Sequence, residues 1–123
     1  MILGIGNDIV EIERIRNVLE RHYDKFLNRI FTPYEIEYCQ KFNDPATRFA
    51  GRFVGKEAVS KALGTGFIKG ISWLDIEIRH DEKMKPIVIL SPSIISICGE
   101  LDMLVSISHC HSYATATAIS YKT

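Results

Sequence analysis

Residues 51–66 read GRFVGKEAVSKALGTG and decide how the chain is interpreted. The stretch continues a periodic segment that predicts a helix from about Ala46 to Leu63, with Gly64 as the glycine expected just beyond a helix end. Glycine inside a helix costs about 1 kcal/mol relative to alanine. Gly51 and Gly55 therefore need a reason, and we predict that they lie on the buried side and let the helix pack closely.

The other side of this helix gathers positive charge around one carboxylate. At about 100° per residue, polar groups and a glycine share one edge: Arg52, Lys56, Ser60 and Gly64. Glu57 and Lys61 lie beside that edge. The face is either exposed to solvent, with a Glu57–Lys61 pair worth about 0.3–0.5 kcal/mol, or an anion site with a metal ligand at its centre. Spacing alone favours the exposed face.

A second carboxylate stands near the end of the first predicted strand. MILGIGNDIV alternates, so that Gly4, Gly6 and Asp8 share one side of the strand. The glycines leave room for another backbone or a ligand to approach. Mg²⁺ is commonly held by one or two carboxylates plus substrate phosphates. If the fold brings Asp8 and Glu57 together, the sequence predicts a minimal Mg²⁺ site.

The remaining segments predict one α+β domain over residues 1–123. A helix begins at about Glu11 and continues or restarts through RHYDKFLNRI, and TPYEIEYCQKF opens with Thr32 as a cap and Glu35 at the third helical position. ISWLDIEIRH and KPIVIL predict two strands joined by DEKMK, and a short helix starts at Ser91. MLVSISHC and YATATAISY predict a closing strand pair with its tip at 110–112. The order, strand, then helices, then strands, is typical of an α+β fold.

SISHCHS, at 106–112, carries a third group of reactive side chains. Strand alternation places Ser106, Ser108 and Cys110 on one face and His109 and His111 on the other. Two histidines spaced in this way could bind zinc, although no third ligand is nearby in sequence. A Cys110–His109 nucleophile pair is a weak alternative, and a small buried side chain is the simplest interpretation of Cys110.

Composition excludes several classes of protein. The formal net charge is zero, so we expect no nucleic-acid and no membrane partner. Charge is uneven, however, and 14–29 holds five cations against two acids. Such a segment is either a solvated helix face or a docking surface for an acidic partner. Three widely spaced cysteines, no apolar run near the roughly 18 residues of a membrane span, and no basic start typical of a signal peptide predict a cytoplasmic protein.

Three stretches together resemble the holo-acyl-carrier-protein synthases, the small trimeric branch of the 4′-phosphopantetheinyl transferases. They are GIGNDIVEIERI, RFAGRFVGKEAVSKALGTG and VSISHCHSYATATAI, in that order across nearly the whole chain. The resemblance implies helices packed on an antiparallel sheet and assembly as a homotrimer with sites between subunits. It also implies transfer of 4′-phosphopantetheine from coenzyme A to a serine of apo-acyl carrier protein, with Mg²⁺ as cofactor and adenosine 3′,5′-bisphosphate released.

The same resemblance assigns roles by position. Asp8 and Glu57 would hold Mg²⁺, and Lys61 would contact the pyrophosphate and stabilise charge during transfer. Glu57 would take the serine proton directly or through a metal-bound water, and the choice stays open. Further contacts to coenzyme A would come from Arg52, Gly64, Gly66, Ser108 and His109. The acidic helix of the carrier protein would dock on Arg14, Arg21 and Lys25.

Three positions depart from the family pattern. Met84 stands where a glycine is usual in the hairpin, Cys110 where threonine is common, and His111 where a charged or polar residue is usual, and each could alter the contacts to coenzyme A. Two other functions stay open. One is an anion-binding module without turnover, which would not benefit from two carboxylates; the other is a metal-dependent phosphohydrolase using Asp8, Glu57 and His109.

Overall fold

The chain folds as one long strand, three helices, a hairpin, a short helix and two closing strands. The computed structural model describes residues 1–64 and 71–123. The elements are β1 (Ile2–Glu11), α1 (Ile12–Ile30), α2 (Pro33–Gln40), α3 (Pro45–Ala62), a 3₁₀ turn (Trp73–Asp75), β2 (Ile76–His80), β3 (Pro86–Leu90), α4 (Pro92–Cys98), β4 (Asp102–His109) and β5 (Tyr113–Tyr121). The predicted α+β class with antiparallel sheets is confirmed, whereas the single domain over residues 1–123 stays a prediction.

The strands form two antiparallel sheets. One has the order β1-β5-β4, and the other is the β2-β3 hairpin. β5 lies in the centre of the larger sheet and pairs Asp8 with Ala116. Its alanines at 114, 116 and 118 are buried, while the side chains between them are only partly covered. Because alanine is small, α3 can lie close against this face of the sheet.

Local sequence signals explain how the helices begin and end. Thr32 Oγ1 accepts a hydrogen bond from the Glu35 amide, and the Glu35 carboxylate accepts one from the Thr32 amide, which is the predicted capping box. Gly64 follows α3 with φ of 82°, as expected for a glycine after a helix. The two possibilities for α1 are both partly right, since one helix runs through Ile30 but is kinked at His22.

Glycines let α3 touch its neighbours at backbone distance. A Cβ on Gly6 would lie 2.0 Å from the Ala58 carbonyl oxygen, and one on Gly4 would lie 2.2 Å from the Ala62 carbonyl oxygen. A Cβ on Gly55 would lie 2.7 Å from Ile78 Cδ1. Both predictions of close approach, for the strand glycines and for the helix glycines, are therefore confirmed.

The hairpin contains a strained position that the sequence had singled out. Met84 has φ of 65°, in the left-handed region that favours glycine. It is also the position at which the resemblance to the family implied a glycine, whereas this chain has methionine. The turn therefore keeps the backbone conformation of a glycine while carrying a methionine side chain that is 58% exposed.

None of the helices in the described part of the chain is long and apolar enough to cross a membrane. The outward-facing side of β1 carries large apolar side chains. Leu3, Ile5 and Ile9 are 47%, 68% and 61% exposed. The outer face of the β1-β5-β4 sheet is thus unusually apolar for a surface.

Candidate active site

The fold brings together the two predicted metal ligands and the predicted catalytic lysine. Asp8 comes from β1, and Glu57 and Lys61 are one turn apart on α3. Lys61 Nζ lies 3.3 Å from Asp8 Oδ1 and donates a hydrogen bond of 3.0 Å to the Asn7 carbonyl oxygen. Half of the Lys61 side chain remains exposed, so the ammonium group can reach a ligand.

The two carboxylates are close enough to act on each other. Burial raises the pKa of Glu57 above its ordinary value, the charge on Asp8 raises it further, and Lys61 opposes the shift. A raised pKa means that the ionised form of Glu57 is held at a cost. A cation between the carboxylates would lower that cost, because it replaces repulsion by attraction.

Hydrogen bonds fix the strand that carries Asp8. Thr115 Oγ1 on β5 donates to the Asp8 carbonyl oxygen at 2.9 Å. The Asn7 side chain donates to the Ala116 carbonyl oxygen at 3.0 Å. The Asn7 carbonyl oxygen that orients Lys61 therefore belongs to a strand that hydrogen bonds to β5 hold in place. Sequence analysis did not identify Asn7 as a partner of Lys61, because any residue at position 7 would offer the same backbone carbonyl oxygen.

The donor set fits Mg²⁺ better than a metal held by protein alone. Within residues 1–64 and 71–123, no three His, Cys, Asp or Glu side chains come together to hold a metal ion. Mg²⁺ needs only one or two carboxylates when waters and phosphate oxygens complete its shell. Asp8 and Glu57 satisfy that requirement. The same observation does not favour the phosphohydrolase with Asp8, Glu57 and His109, or a zinc site at the two histidines.

The interpretation of the polar edge of α3 was wrong. Arg52, Lys56 and Ser60 share an edge as predicted, but they are 4%, 0% and 1% exposed. Lys56 Nζ forms an ion pair of 2.6 Å with Glu35, so its charge is already matched inside the protein. Of the edge residues, only Gly64 is exposed. The positive charge beside Glu57 at the surface comes from Lys61.

Arg52 has partners that α2 and β2 supply. Its Nη2 lies 2.8 Å from His80 Nδ1, and its guanidinium carbon lies 4.6 Å from the centre of the Tyr38 ring. Its Nε is buried, and no residue in the described part of the chain forms a hydrogen bond with it. Burial lowers the pKa of His80, and the neighbouring charges of Arg52 and Arg48 lower it further. Neutral His80 can then accept the hydrogen bond from Arg52.

The SISHCHS segment lies at a separate cleft of the single chain. The cleft has a volume of about 470 Å³, and its lining includes Glu13, Arg16, His109, Cys110 and His111. The prediction that Cys110 is buried was wrong, because it sits in the turn after β4 and is exposed. Hydrogen bonds from the backbone of Ser112 and Tyr113 lower the pKa of its thiol.

Comparisons with known proteins show which family this chain belongs to. Residues 4–118 match the family model of the 4′-phosphopantetheinyl transferase superfamily. The chain belongs to this superfamily. It is 55% identical over 119 residues to the holo-[acyl-carrier-protein] synthase of Protochlamydia amoebophila, covering 97% of this chain and 98% of that protein.

Solved structures of transferases from the same superfamily have the same fold. The holo-[acyl-carrier-protein] synthase of Helicobacter pylori in complex with coenzyme A matches with a TM-score of 0.87 at 39% identity, over 94% of this chain and 98% of that one. The synthase of Bacillus anthracis, in complex with CoA (3′,5′-ADP), matches with a TM-score of 0.83 at 41% identity, over 100% of this chain and 99% of that one. The predicted family and enzyme class, a phosphopantetheinyl transferase, are confirmed.

The other residues that the family resemblance singled out are distributed over the surface. Arg14, Arg21 and Lys25 are all exposed on α1, whereas Arg16 is engaged by Glu13 and Asp44 at 2.8 and 2.7 Å. Ser108 and His109 are exposed at the end of β4. Gly66 lies outside the described residues. The roles of all these residues in binding stay predictions.

Proposed function

We propose that the chain transfers 4′-phosphopantetheine from coenzyme A to a serine hydroxyl of apo-acyl carrier protein, with Mg²⁺ as cofactor and adenosine 3′,5′-bisphosphate as the released product. The observation that carries the proposal is the meeting of Asp8, Glu57 and Lys61, which come from two elements far apart in sequence. The names of the relatives and the coenzyme A complexes of solved synthases support the choice of substrates.

Each residue at the site has a part in this reaction. Mg²⁺, held by Asp8 and Glu57, would supply charge neutralisation at the pyrophosphate. The serine oxygen forms a bond to the phosphorus that carries the pantetheine arm, and the bond from that phosphorus to the bridging oxygen breaks. The leaving bisphosphate takes the electron pair, and the Lys61 ammonium stabilises the charge that develops on it.

Glu57 is our candidate for the base that removes the serine proton. A general base works best when its pKa lies near the working pH. Burial and the charge of Asp8 both raise the pKa of Glu57, and a bound cation would lower it again, so proton removal by Glu57 directly and through a metal-bound water both stay open. Asp8, whose carboxylate pairs with Lys61, then serves as the second ligand for the cation.

Capture of the carrier protein is assigned to the exposed cations of α1. The support is the local excess of positive charge in α1 and the exposure of Arg14, Arg21 and Lys25. Arg14→Glu should raise KM for the carrier protein about tenfold and leave KM for coenzyme A unchanged, with the difference shrinking as salt screens the charges. Lys83→Glu, the same charge change in the β2-β3 turn, is the control. Equal effects of Arg14→Glu on both KM values would count against the docking surface.

We further propose a homotrimer in the cytoplasm. The support for assembly is the outer face of the β1-β5-β4 sheet, where Ile5 and Ile9 are 68% and 61% exposed. Assembly there would bring the SISHCHS segment of one subunit toward a neighbour. Unpaired cysteines at 39, 98 and 110 are compatible with a reducing compartment. Light scattering of Ile5→Asp should show dissociation; an unchanged trimer would exclude this face.

The proposed reaction is tested by intact mass after incubation of the chain with apo-carrier protein, coenzyme A and Mg²⁺. Transfer adds one phosphopantetheine arm to the carrier protein, a phosphohydrolase would cleave the nucleotide, and a binding module would change neither. Asp8→Asn and Glu57→Gln should abolish transfer, while Glu100→Gln, an exposed carboxylate distant in sequence, should not. Full activity in either of the first two variants would remove the metal-site assignment.

A further inference from the structure

A buried ion pair lies next to Glu57 and takes no part in the proposed chemistry. Lys56 Nζ and Glu35 Oε1 are 2.6 Å apart, and both side chains are fully buried. Removing two charges from water offsets most of the attraction between them, so a buried ion pair is weak evidence for stability. An apolar pair of similar volume could fill the same space. The charges therefore call for a reason other than stability.

The Glu35–Lys56 pair is the centre of a network that joins α3 to three other segments. Lys56 Nζ donates a second hydrogen bond, of 2.7 Å, to the Ile30 carbonyl oxygen at the end of α1. Glu35 Oε1 accepts from the Thr32 amide at 2.9 Å, at the start of α2. Glu35 Oε2 accepts from the Ile78 amide at 2.9 Å, on β2. Every one of these contacts is directional and shielded from solvent.

The opposite side of α3 is held in a different way. There the helix rests on β1, so close that a Cβ on Gly6 would lie 2.0 Å from the Ala58 carbonyl oxygen. At about 100° per residue, positions 56 and 58 point to nearly opposite sides of the helix, roughly 160° apart. Position 57 lies about 100° from each of them. Glu57 thus projects from α3 between its contact with β1 and its contact with the ion pair.

This arrangement makes the position of Glu57 depend on both contacts. A rotation or a slide of α3 would carry Glu57 along, while Asp8 stays on β1. On the sheet side, one buried hydrogen bond from Ser120 Oγ on β5 to the Ala62 carbonyl oxygen, at 2.8 Å, restrains the C-terminal end of α3. Beside Glu57 itself, the contact with β1 is close packing through Gly6. Hydrogen bonds weaken steeply when their angles change. The Glu35–Lys56 pair therefore supplies a directional restraint in the middle of the helix, next to Glu57.

We propose that Glu35 and Lys56 are positioning residues that hold Glu57 in register with Asp8, an inference that rests on the proposed function. The pair acts through the backbone of α3 and touches neither substrate nor cation. Misplacement of a reacting group by about 1 Å can lower a rate about 100-fold. Loss of the pair should therefore lower the rate of transfer more than it lowers the affinity for coenzyme A.

Three variants separate this role from a contribution to stability: Lys56→Met, Glu35→Gln and the double variant. Each should lower kcat at least tenfold and change KM for coenzyme A less than about threefold. The double variant should melt at a higher temperature than Lys56→Met, because it leaves no unpaired carboxylate in the interior. Its kcat should nevertheless stay low. Glu35→Gln keeps the side-chain volume and an acceptor oxygen, so it tests the idea even if Lys56→Met does not fold.

A second measurement does not depend on activity. Mg²⁺ should raise the melting temperature of the wild-type chain through Asp8 and Glu57. The double variant should lose most of that rise in melting temperature, because Asp8 and Glu57 would no longer be in register to share a cation. A Mg²⁺-dependent rise equal to that of the wild type would overturn the positioning role.

The matched control is a core substitution on α4, Ile94→Ala, which removes a fully buried side chain. At a temperature where all variants are folded, it should keep wild-type kcat despite a lower melting temperature. If its kcat falls in parallel with its stability, the pair has no special role. If the double variant has wild-type kcat while Glu57→Gln is inactive, the positioning role is wrong and the proposed function stands. If Glu57→Gln is itself active, the proposed function fails.

Discussion

Gly6→Ala should break the contact on which the site is built. The new Cβ would lie 2.0 Å from the Ala58 carbonyl oxygen and 2.8 Å from both the Ala62 amide nitrogen and Lys61 Cβ. Two of these neighbours are backbone atoms, which cannot rotate away. Since Cβ contacts shorter than 3.0 Å essentially do not occur, β1 and α3 must separate by at least 1.0 Å, the difference between 3.0 and 2.0 Å.

This separation has a cost in stability and a larger one in activity. Overpacking of this kind costs about 1–3 kcal/mol, which for a chain of this length lowers the melting temperature by roughly 5–10 °C. Asp8 is two residues from the substitution, so the same movement draws it away from Glu57 and Lys61. A shift of about 1 Å at a reacting group can lower the rate about 100-fold.

Calorimetry gives the melting temperature of the variant, and intact mass of the carrier protein gives its rate of transfer well below that temperature. Gly51→Ala is the matched control. Among the described residues, a Cβ at that position meets only Ile107 Cγ2, at 3.2 Å, which can move because it ends a side chain. Alanine also gains about 1 kcal/mol in helix propensity, so this variant should keep its melting temperature and activity. A Gly6→Ala variant with wild-type melting temperature and full activity would refute the close contact between strand and helix.

Other parts of the structure give further expectations. Met84→Gly should raise the free energy of unfolding, measured by urea titration, by about 0.5–1 kcal/mol, because it relieves a left-handed residue that costs about 1–2 kcal/mol and returns part of this as backbone entropy; an unchanged free energy of unfolding would mean that the turn is unstrained. Glu57 has a folded-state pKa above the 4.5 of the unfolded chain, so its ionised form destabilises the fold above that pKa, and the penalty disappears below pH 4.5. Glu57→Gln should therefore melt no lower than wild type at pH 8, with the difference vanishing in acid; a lower melting temperature at pH 8 would contradict this. Cys110, exposed and with a lowered pKa, should react with a thiol reagent well before Cys39, which is buried with its pKa raised to about 12, and coenzyme A should slow the reaction of Cys110 if it binds at the neighbouring His109.

Signals that are local in sequence were sufficient for most of the fold. The Thr32–Glu35 capping box, the alternation of β1 and Gly64 after α3 each involve neighbours within a few residues, and the structure has all three. The two glycines before Asp8 indicated a close approach to β1, but the sequence pattern alone left open whether Asp8 meets Glu57, and the resemblance to a family supplied that pairing. The order of the elements followed from the pattern of strands and helices, and the resemblance to a family agreed with it.

The burial of Lys56 and Arg52 could not be predicted in this way. A helical wheel tells which residues share a face, but not which element covers that face. Glu35 is 21 residues before Lys56, and His80 is 28 residues after Arg52. Nothing in the helix itself reports these partners. The one available signal was that Lys56 sits directly after Gly55, on a helix where glycine marks close packing.

Both sides of β1 are constrained by their surroundings. Its inner side meets the helix backbone through glycine and bears Asp8, and its outer side exposes a row of large aliphatic side chains. Few positions on this strand should therefore tolerate substitution. On the inner side, α3 excludes a methyl group at Gly4 or Gly6, and on the outer side a charged residue would lie among exposed isoleucines. The start of the chain should thus be among its least tolerant regions to substitution, even though it lies at the edge of the sheet.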